Sequence, residues 1–594
     1  MQTVEQVAQE QAAETPARRR GPADLWAFLS YAVLSVLVMS QLWRDPNGRL
    51  LAGNRDDHNI FLFMIAHAER VVFAGENPFH SSRLNVPDGV NMMANTAVLA
   101  LGLPLAPVSH FLGVGVTVVL LITLGLAGTA AAWYWVLSRH LVTSRVAAWI
   151  GGLWCGFCPA MISHGNGHVN FVSQYVIPFI VWQALRLREP GRAVRGGIIL
   201  GLLIVLQVFI NEESLLFTAL ALGVFVVAYG LMARTSAKRD APHMLKGLGV
   251  AALVSGSLLA YPLWYQFFAP GNYHGQPFEP DHYATDLASL GFFARQSLAG
   301  YGALTRHMSV SATEDNTFFG PVGLLMIIVS IVVLWRSVAA RAAAIAGFVL
   351  LVMSLGPELV FFGHRTGVPL PFALISHAPV IDLVSVTRFA IVTSTIAGVL
   401  LALAADRARD FPAKKRRLFQ IGLVLALVPL FPKPSPIVRA DPLPPFLTQG
   451  TWKQYVTGDR TLVAVPLPDV TTGRTGMRWA TLSHFAYPTP RGYFMGPANP
   501  PENNTGSWSA PPRFTSNVLW RVREYGIRPQ LTAADRARIT EDLIFWRAAV
   551  VVLVPNSRNG DDLLATLTDA LGPPQQVGGV EIWDVRYLAV PSKE

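Results

Sequence analysis

Long apolar runs separated by short polar connections are the feature that most restricts how this chain can fold. A helix needs about 17–25 apolar residues to cross the hydrocarbon layer, and the sequence contains about eleven such runs. Hydrophobic residues form 52% of the chain and charged residues only 14%, which excludes an ordinary soluble protein. We therefore predict a polytopic α-helical membrane protein. The predicted spans are 24–43, 115–137, 145–162, 168–186, 196–212, 214–232, 246–267, 318–335, 342–361, 386–405 and 416–432.

The distribution of basic residues predicts the orientation of these spans. Lys and Arg concentrate in alternate connections, and the positive-inside rule places such connections in the cytoplasm. A cytoplasmic N-terminus in the plasma membrane follows, with loops 44–114 and 268–317 on the external side. The same clusters account for the net charge of +10, so we do not expect nucleic-acid binding. The basic connections are 138–145, 186–195, 233–246, 335–341 and 406–417.

Composition divides the chain into four predicted regions. Residues 1–23 form a disordered cytoplasmic tail that is retained, because no small-residue cleavage site follows the first apolar run. Residues 24–432 form the transmembrane domain, and the Pro-rich stretch 433–450 is a linker. Short β-like runs alternate with helical patterns in 451–594, which predicts an extracytoplasmic soluble α/β domain.

One apolar segment, 97–112, is not counted as a span. Pro104 and Pro107 interrupt it, and counting it would reverse the charge pattern of every later connection. We predict a segment at the membrane edge or a re-entrant segment packed against protein.

Adjacent carboxylates, Asp56 and Asp57, open the apolar-aromatic stretch RDDHNIFLFM in the first external loop. A carboxylate just above an apolar helix bundle is well placed to accept a proton from an acceptor hydroxyl. The alternative is that the two residues only cap a helix N-terminus. The sequence alone does not distinguish between them.

Other charged residues lie at the external ends of predicted spans. Glu212 and Glu213 join two apolar runs with one polar turn between them, so at least one is expected to face a water-filled cavity or a basic partner. Arg388 begins the tenth predicted span on the side opposite to the positive-inside tendency. Its expected partner is a carboxylate such as Asp382 or a bound phosphate, unless it reaches the lipid headgroups.

Histidines and cysteines offer weaker signals. His164 and His168 flank glycines in the HGNGH turn, but two histidines alone are a weak metal signal and turn chemistry explains the pattern equally well. The WCGFC motif, Cys155 and Cys158, lies inside an apolar span rather than after a strand, so we do not expect redox catalysis.

The sequence resembles the GT-C superfamily, the multi-spanning glycosyltransferases that use polyprenyl-phosphate sugars, and in particular actinobacterial membrane proteins. The resemblance depends on the acidic pair in RDDHNIFLFMIAHAERVV, on an odd number of spans near eleven, on the loop lengths and on the external C-terminal domain. Further similar stretches are ENPFHSSRLNVPDGVNMMANT, HGNGHVNFVSQYVIPFI, FINEESLL, EDNTFFGPVGLL, MSLGP and TRF.

This resemblance implies transfer of a sugar to a cell-envelope glycan, lipid or protein acceptor on the external face, in cell wall biogenesis. Asp57 or Asp56 would be the general base in an inverting displacement. Arg388 would hold the donor phosphate with help from His164 or His168, and Glu212 or Glu213 would line the same cavity. No cofactor is required, although some relatives use a divalent metal.

Two other classes of function remain compatible with the sequence. A transporter or flippase of a lipid-linked or envelope precursor would favour charges near the middle of several spans, whereas the unusual charges here lie at the external edge. A non-enzymatic membrane protein that binds the envelope would use the aromatic external loops in the same way as an enzyme. Substitution of Asp56 and Asp57 separates a binder from an enzyme.

Overall fold

Most of the predicted spans are helices in the computed structural model, which describes residues 21–470 and 472–588. Six helices within these residues are long and apolar enough to cross a membrane, and three apolar helices are shorter. The chain is therefore a multi-pass membrane protein, while the count of eleven spans stays a prediction. The six are Pro22–Trp43, Val114–Leu141, Arg145–His164, Glu212–Met232, Arg234–Phe268 and Val386–Asp410; the shorter ones are Ala193–Val208, Pro321–Val333 and Val338–Ser354.

Two other predicted spans have different shapes in the structure. The run 168–186 is divided into Val169–Val172 and Ile177–Arg186, and the last run begins as helix Ala413–Leu427. The Thr129 hydroxyl stabilises the break, because it donates to the carbonyl of Val172 (2.9 Å) and accepts from the N–H of Gln174 (3.0 Å). Backbone groups released inside an apolar bundle need such partners.

The proline-interrupted segment 97–112 is not one long helix. It forms two short helices, Leu99–Gly102 and Ala106–Leu112. Predicted tail residues 1–20 and the end of the predicted C-terminal domain, 589–594, lie outside the described residues.

The loop 44–114 and the predicted linker are joined by a small sheet. Strand Arg49–Leu51 pairs antiparallel with Ile437–Arg439, so that Arg49 lies opposite Arg439. This pairing fixes the beginning of the C-terminal region beside the first loop. Other two-stranded sheets are His80–Ser81 with Val90–Asn91, Glu358–Phe361 with His364–Pro369, and Gly496–Asn499 with Asn503–Ser507.

A four-stranded sheet organises the C-terminal region. In spatial order its strands are Gln575–Val577, Val580–Asp584, Ala548–Leu553 and Thr461–Val465, with only the last two parallel. Its neighbouring helices are Arg474–Leu482, Phe514–Tyr525, Ala533–Phe545 and Gly560–Leu571.

Both faces of this sheet are buried, but in different cores. Successive strand residues point to opposite faces: Val463 and Val551 belong to a local core, whereas Leu462 and Val550 belong to the large core that includes the membrane helices. The C-terminal region is therefore packed onto the rest of the chain. Its predicted extracytoplasmic position remains a prediction.

Candidate functional site

The helix Arg55–Ala74 carries the acidic pair. Asn54 caps it by accepting the N–H of Asp57 (3.0 Å), and Gly75 ends it with a φ of 67°, which glycine adopts at low cost. The acidic residues lie in the first turn, where the helix dipole stabilises negative charge. Because Asn54 supplies the cap, both carboxylates are available for other contacts.

Asp57 is held by three side chains from different parts of the chain. His168 Nε2 lies 2.6 Å from Oδ2, the Tyr493 hydroxyl donates to Oδ1 (2.8 Å), and the Asn54 amide donates to Oδ2 (2.5 Å). Burial alone would raise the pKa of Asp57, but these hydrogen bonds from His168 and Tyr493 and the charge of Arg388 lower it below its usual value. Asp57 is thus a fixed, ionised acceptor, and Oδ1 keeps a lone pair for a further donor.

The two histidines of the HGNGH turn continue this network into the protein. Nδ1 of His164 lies 2.7 Å from Nδ1 of His168, and the His164 ring stacks on Phe171. A neutral His168 that donates to Asp57 through Nε2 accepts at Nδ1, so His164 donates there and carries a lone pair on Nε2. This Nε2 atom is buried and has no hydrogen-bond partner among the described residues, and it faces Glu314 at 3.9 Å.

Arg388 lies between two carboxylates. It contacts Glu213 at 3.0 Å and Glu314 at 2.8 Å, and its guanidinium is 4.8 Å from the centre of the Phe171 ring. The predicted carboxylate partner therefore exists, but it is this pair rather than Asp382. Glu314 was not singled out from the sequence, although it belongs to the stretch TEDNTFFG immediately before the apolar helix Pro321–Val333.

The structure separates the members of each acidic pair. Glu213 belongs to the Arg388 cluster, whereas Glu212 accepts from the amide of Gln266 (2.9 Å). Asp56 is bound through both oxygens by Arg474, with Nη2 at 2.7 Å from Oδ2, and burial raises its pKa. Asp56 joins the loop 44–114 to the C-terminal region, and Asp57 faces the histidines.

These groups form one site, which we call the Asp57 cluster: Asp57, His164, His168, Glu213, Glu314 and Arg388. Three carboxylates and one guanidinium give it a net charge of −2 when both imidazoles are neutral. Ligand atoms of His164, His168 and Glu314 lie within 4.8 Å of one another, and the unpaired lone pair of His164 faces a carboxylate. His164 Nε2 and the Glu314 carboxylate fit a divalent cation of the zinc or manganese type. Both ring nitrogens of His168 are engaged with Asp57 and His164, so His168 would join such a site only by releasing one of these contacts.

Other residues named from the sequence lie away from this cluster. Cys155 and Cys158 are buried and not joined by a disulfide bond, and the Cys155 thiol faces the carbonyl of Thr395.

No family model matches the sequence, and no curated protein is similar to it. Solved structures are similar in fold. The apo oligosaccharyltransferase of Archaeoglobus fulgidus is 12% identical with a TM-score of 0.50, covering 89% of this chain and 69% of that one. The oligosaccharyltransferase AglB of the same organism, in complex with an inhibitory peptide and a dolichol-phosphate, is 12% identical with a TM-score of 0.49, covering 89% of this chain and 69% of that one. ArnT from Cupriavidus metallidurans, bound to undecaprenyl phosphate, is 11% identical with a TM-score of 0.45, covering 96% of this chain and 99% of that one.

The first of these matches shows that this chain shares the fold of the apo oligosaccharyltransferase of Archaeoglobus fulgidus. An identity of 12% carries no further information about activity.

Proposed function

We propose that the protein is a membrane glycosyltransferase that moves a sugar from a polyprenyl-phosphate donor to a cell-envelope acceptor on the external face. The observation that carries this proposal is the Asp57 cluster, in which a fixed carboxylate lies beside a buried arginine at the ends of several apolar helices. The GT-C fold is compatible with this chemistry.

In the proposed reaction Asp57 accepts the proton of the acceptor hydroxyl. The acceptor oxygen bonds to the anomeric carbon while the bond from that carbon to the phosphate oxygen breaks, with inversion. The polyprenyl phosphate leaves as an anion, so no acid is required to protonate it. Tyr493 and His168 hold the carboxylate in position for this step.

Asp57 is the base in this proposal, and Asp56 is not. Both oxygens of Asp56 are bound to Arg474, whereas Asp57 belongs to the histidine and arginine cluster. Asp56 would position the C-terminal region and thereby Tyr493.

The charge of the cluster bears on donor binding. Arg388 is already paired with Glu213 and Glu314, and a net charge of −2 would repel an anionic phosphate. A divalent cation on His164 and Glu314 would correct this imbalance and supply Lewis-acid stabilisation of phosphate oxygens, and His168 would join it only by releasing one of its two hydrogen bonds. Arg388 and the cation would then hold the donor together.

The test is transfer of labelled sugar in membranes that contain the protein, with a panel of polyprenyl-phosphate sugars and the matching nucleotide sugars. We expect label to reach envelope acceptors from at least one polyprenyl-phosphate donor without conversion to a nucleotide sugar, and Asp57→Asn to abolish it. No transfer from any donor, or transfer only from nucleotide sugars, would refute the proposal.

The cation is tested separately by chelation. Detergent-purified protein dialysed against a chelator should lose transfer and regain it with Mn²⁺, Mg²⁺ or Zn²⁺. His164→Gln should remove this response, and a transfer rate unaffected by chelation would exclude the cation.

A further inference from the structure

A second polar cavity lies on another side of the helix that carries Asp57. Its volume is about 220 Å³, well above the roughly 10–15 Å³ that one water needs. It lies between the first external loop, the strand Ile437–Arg439 and the C-terminal sheet region. We call it the arginine pocket because six arginines line it: Arg55, Arg439, Arg474, Arg478, Arg523 and Arg558.

Positive charge exceeds negative charge in this pocket. Asp441 is the acidic residue in its lining, while Asp56 pairs with Arg474 and Glu524 pairs with Arg523 and Arg558 from its edge. Six arginines against three carboxylates leave a net charge of +3. Among residues 21–470 and 472–588, Arg55, Arg439 and Arg478 form no ion pair with a carboxylate.

Arg478 shows that the charge is built into the fold. Its side chain is buried, and the partners it has among the described residues are backbone carbonyls, Asp441 O at 2.8 Å and Asn47 O. The charges of Asp441 and Asp45 raise the pKa of Arg478, but burial lowers it more. The nearby carboxylates therefore compensate this guanidinium only in part, and a further anion would stabilise it. Burial and the charges of Arg558 and Arg474 also lower the pKa of Arg523, which reflects repulsion inside the pocket.

Backbone donors lie at the same place. The helix Arg474–Leu482 begins at the pocket, where Gly473 and Thr475 belong to the lining. The positive end of a helix and fork-shaped guanidinium groups both favour phosphate oxygens.

We propose that the arginine pocket binds a phosphate-type oxyanion and is a ligand site separate from the Asp57 cluster. The ligand class is a phosphate or diphosphate group, carried by a soluble sugar phosphate or by a lipid phosphate. Arg55, Arg439 and Arg478 supply its charge compensation, and Asn59 lies one helical turn from Arg55 on the same lining. This inference is independent of the proposed transfer reaction.

Inorganic pyrophosphate is the probe, titrated into the detergent-purified full chain at low salt by calorimetry. The test variant is Arg55→Gln with Arg439→Gln, since both side chains are exposed and form no ion pair that folding would lose. The matched control is Arg416→Gln with Arg417→Gln, which removes the same charge from two exposed arginines of helix Ala413–Leu427. Arg388→Gln, titrated at a temperature below its own melting temperature so that the variant is folded, tests whether the probe binds at the Asp57 cluster instead.

We expect saturable binding to the wild-type chain, a loss of at least about tenfold in affinity in the pocket variant, and less than about twofold in the control. Arg388→Gln should retain the binding. Three results would each overturn the proposal. The first is no saturable binding to the wild-type chain, and the second is equal affinity in the pocket variant and the control. The third is loss of binding in Arg388→Gln with retention in the pocket variant.

A comparison of probes then identifies the source. Competition of pyrophosphate by glucose 1-phosphate would indicate a soluble sugar phosphate as the natural ligand. Competition by phosphatidic acid micelles alone would indicate a lipid phosphate.

Discussion

Asp57→Asn is the change that most directly tests the proposed chemistry. Asn has nearly the same shape as Asp, and its oxygen can accept from His168 or Tyr493, but it cannot take up a proton from an acceptor hydroxyl. A general base contributes about 10²- to 10⁴-fold to a reaction rate. We therefore expect transfer to fall by that factor, which corresponds to about 2.7–5.4 kcal/mol of transition-state stabilisation.

Stability should fall moderately in this variant. The lowered pKa of Asp57 means that its surroundings favour the charged carboxylate. The amide nitrogen of Asn also meets a hydrogen-bond donor, either Tyr493 or the pair His168 and Asn54. We expect a loss of about 1–3 kcal/mol, so transfer is compared at equal amounts of folded protein in the membrane.

Asp56→Asn is the matched control, because it makes the same change at the adjacent residue. It weakens the ion pair between residue 56 and Arg474, in which the Asp56 side chain is 23% exposed and the Arg474 side chain 36% exposed. A pair this accessible contributes about 1 kcal/mol or less to stability. We expect transfer within about fivefold of the wild type.

The assay is initial-rate transfer of labelled sugar from the active polyprenyl-phosphate donor, in membranes matched for protein content. Full activity of Asp57→Asn would refute the assignment of the base. Inactivity of Asp56→Asn with normal activity of Asp57→Asn would reverse it.

Three further predictions concern the neighbours of these residues. Arg388→Gln leaves the carboxylates of Glu213 and Glu314 without their shared guanidinium, so we expect the free energy of unfolding to fall by about 3–5 kcal/mol. This loss would appear as a lower melting temperature in detergent, and an unchanged melting temperature would contradict the ion pair. Tyr493→Phe removes a donor that lowers the pKa of Asp57, so the acid limb of the transfer rate against pH should move to higher pH, and an unmoved limb would exclude this role. The hydrogen bond with Glu69 raises the pKa of His484 above its usual value of 6.5. The protonated His484 therefore stabilises the fold fully below pH 6.5, and this stabilisation is lost as the pH rises through the raised pKa. Because the His484 side chain is 42% exposed, the effect is about 1 kcal/mol or less. His484→Gln should remove this pH dependence of the melting temperature between pH 6 and 9, and identical profiles would contradict it.

Local sequence was sufficient to predict the helices of the membrane part. Apolar runs of the required length become helices because an apolar environment leaves the backbone no other partner for its hydrogen bonds. The interruption by Pro104 and Pro107 likewise predicted that 97–112 is not a span, and the structure has two short helices there. The break in 168–186 was missed, because it depends on Thr129 of another helix.

The residues of the candidate site were partly visible in the sequence, but their roles were not. Asp56 and Asp57 are adjacent and chemically identical, so no local pattern distinguishes them. Their partners, Arg474 and Tyr493, lie 418 and 436 residues further along the chain. Only the packing of the C-terminal region onto the first loop decides which carboxylate faces the histidines.

The sequence by itself determined the membrane class, the main helices and the importance of the charged residues at their ends, since hydrophobic length and charge are properties of the chain. The tertiary structure decided that Glu213 and Glu314 share Arg388, and that six arginines meet in one pocket. Such contacts join distant segments. They depend on the complete packing of the helices and the sheet, which no single stretch of sequence contains.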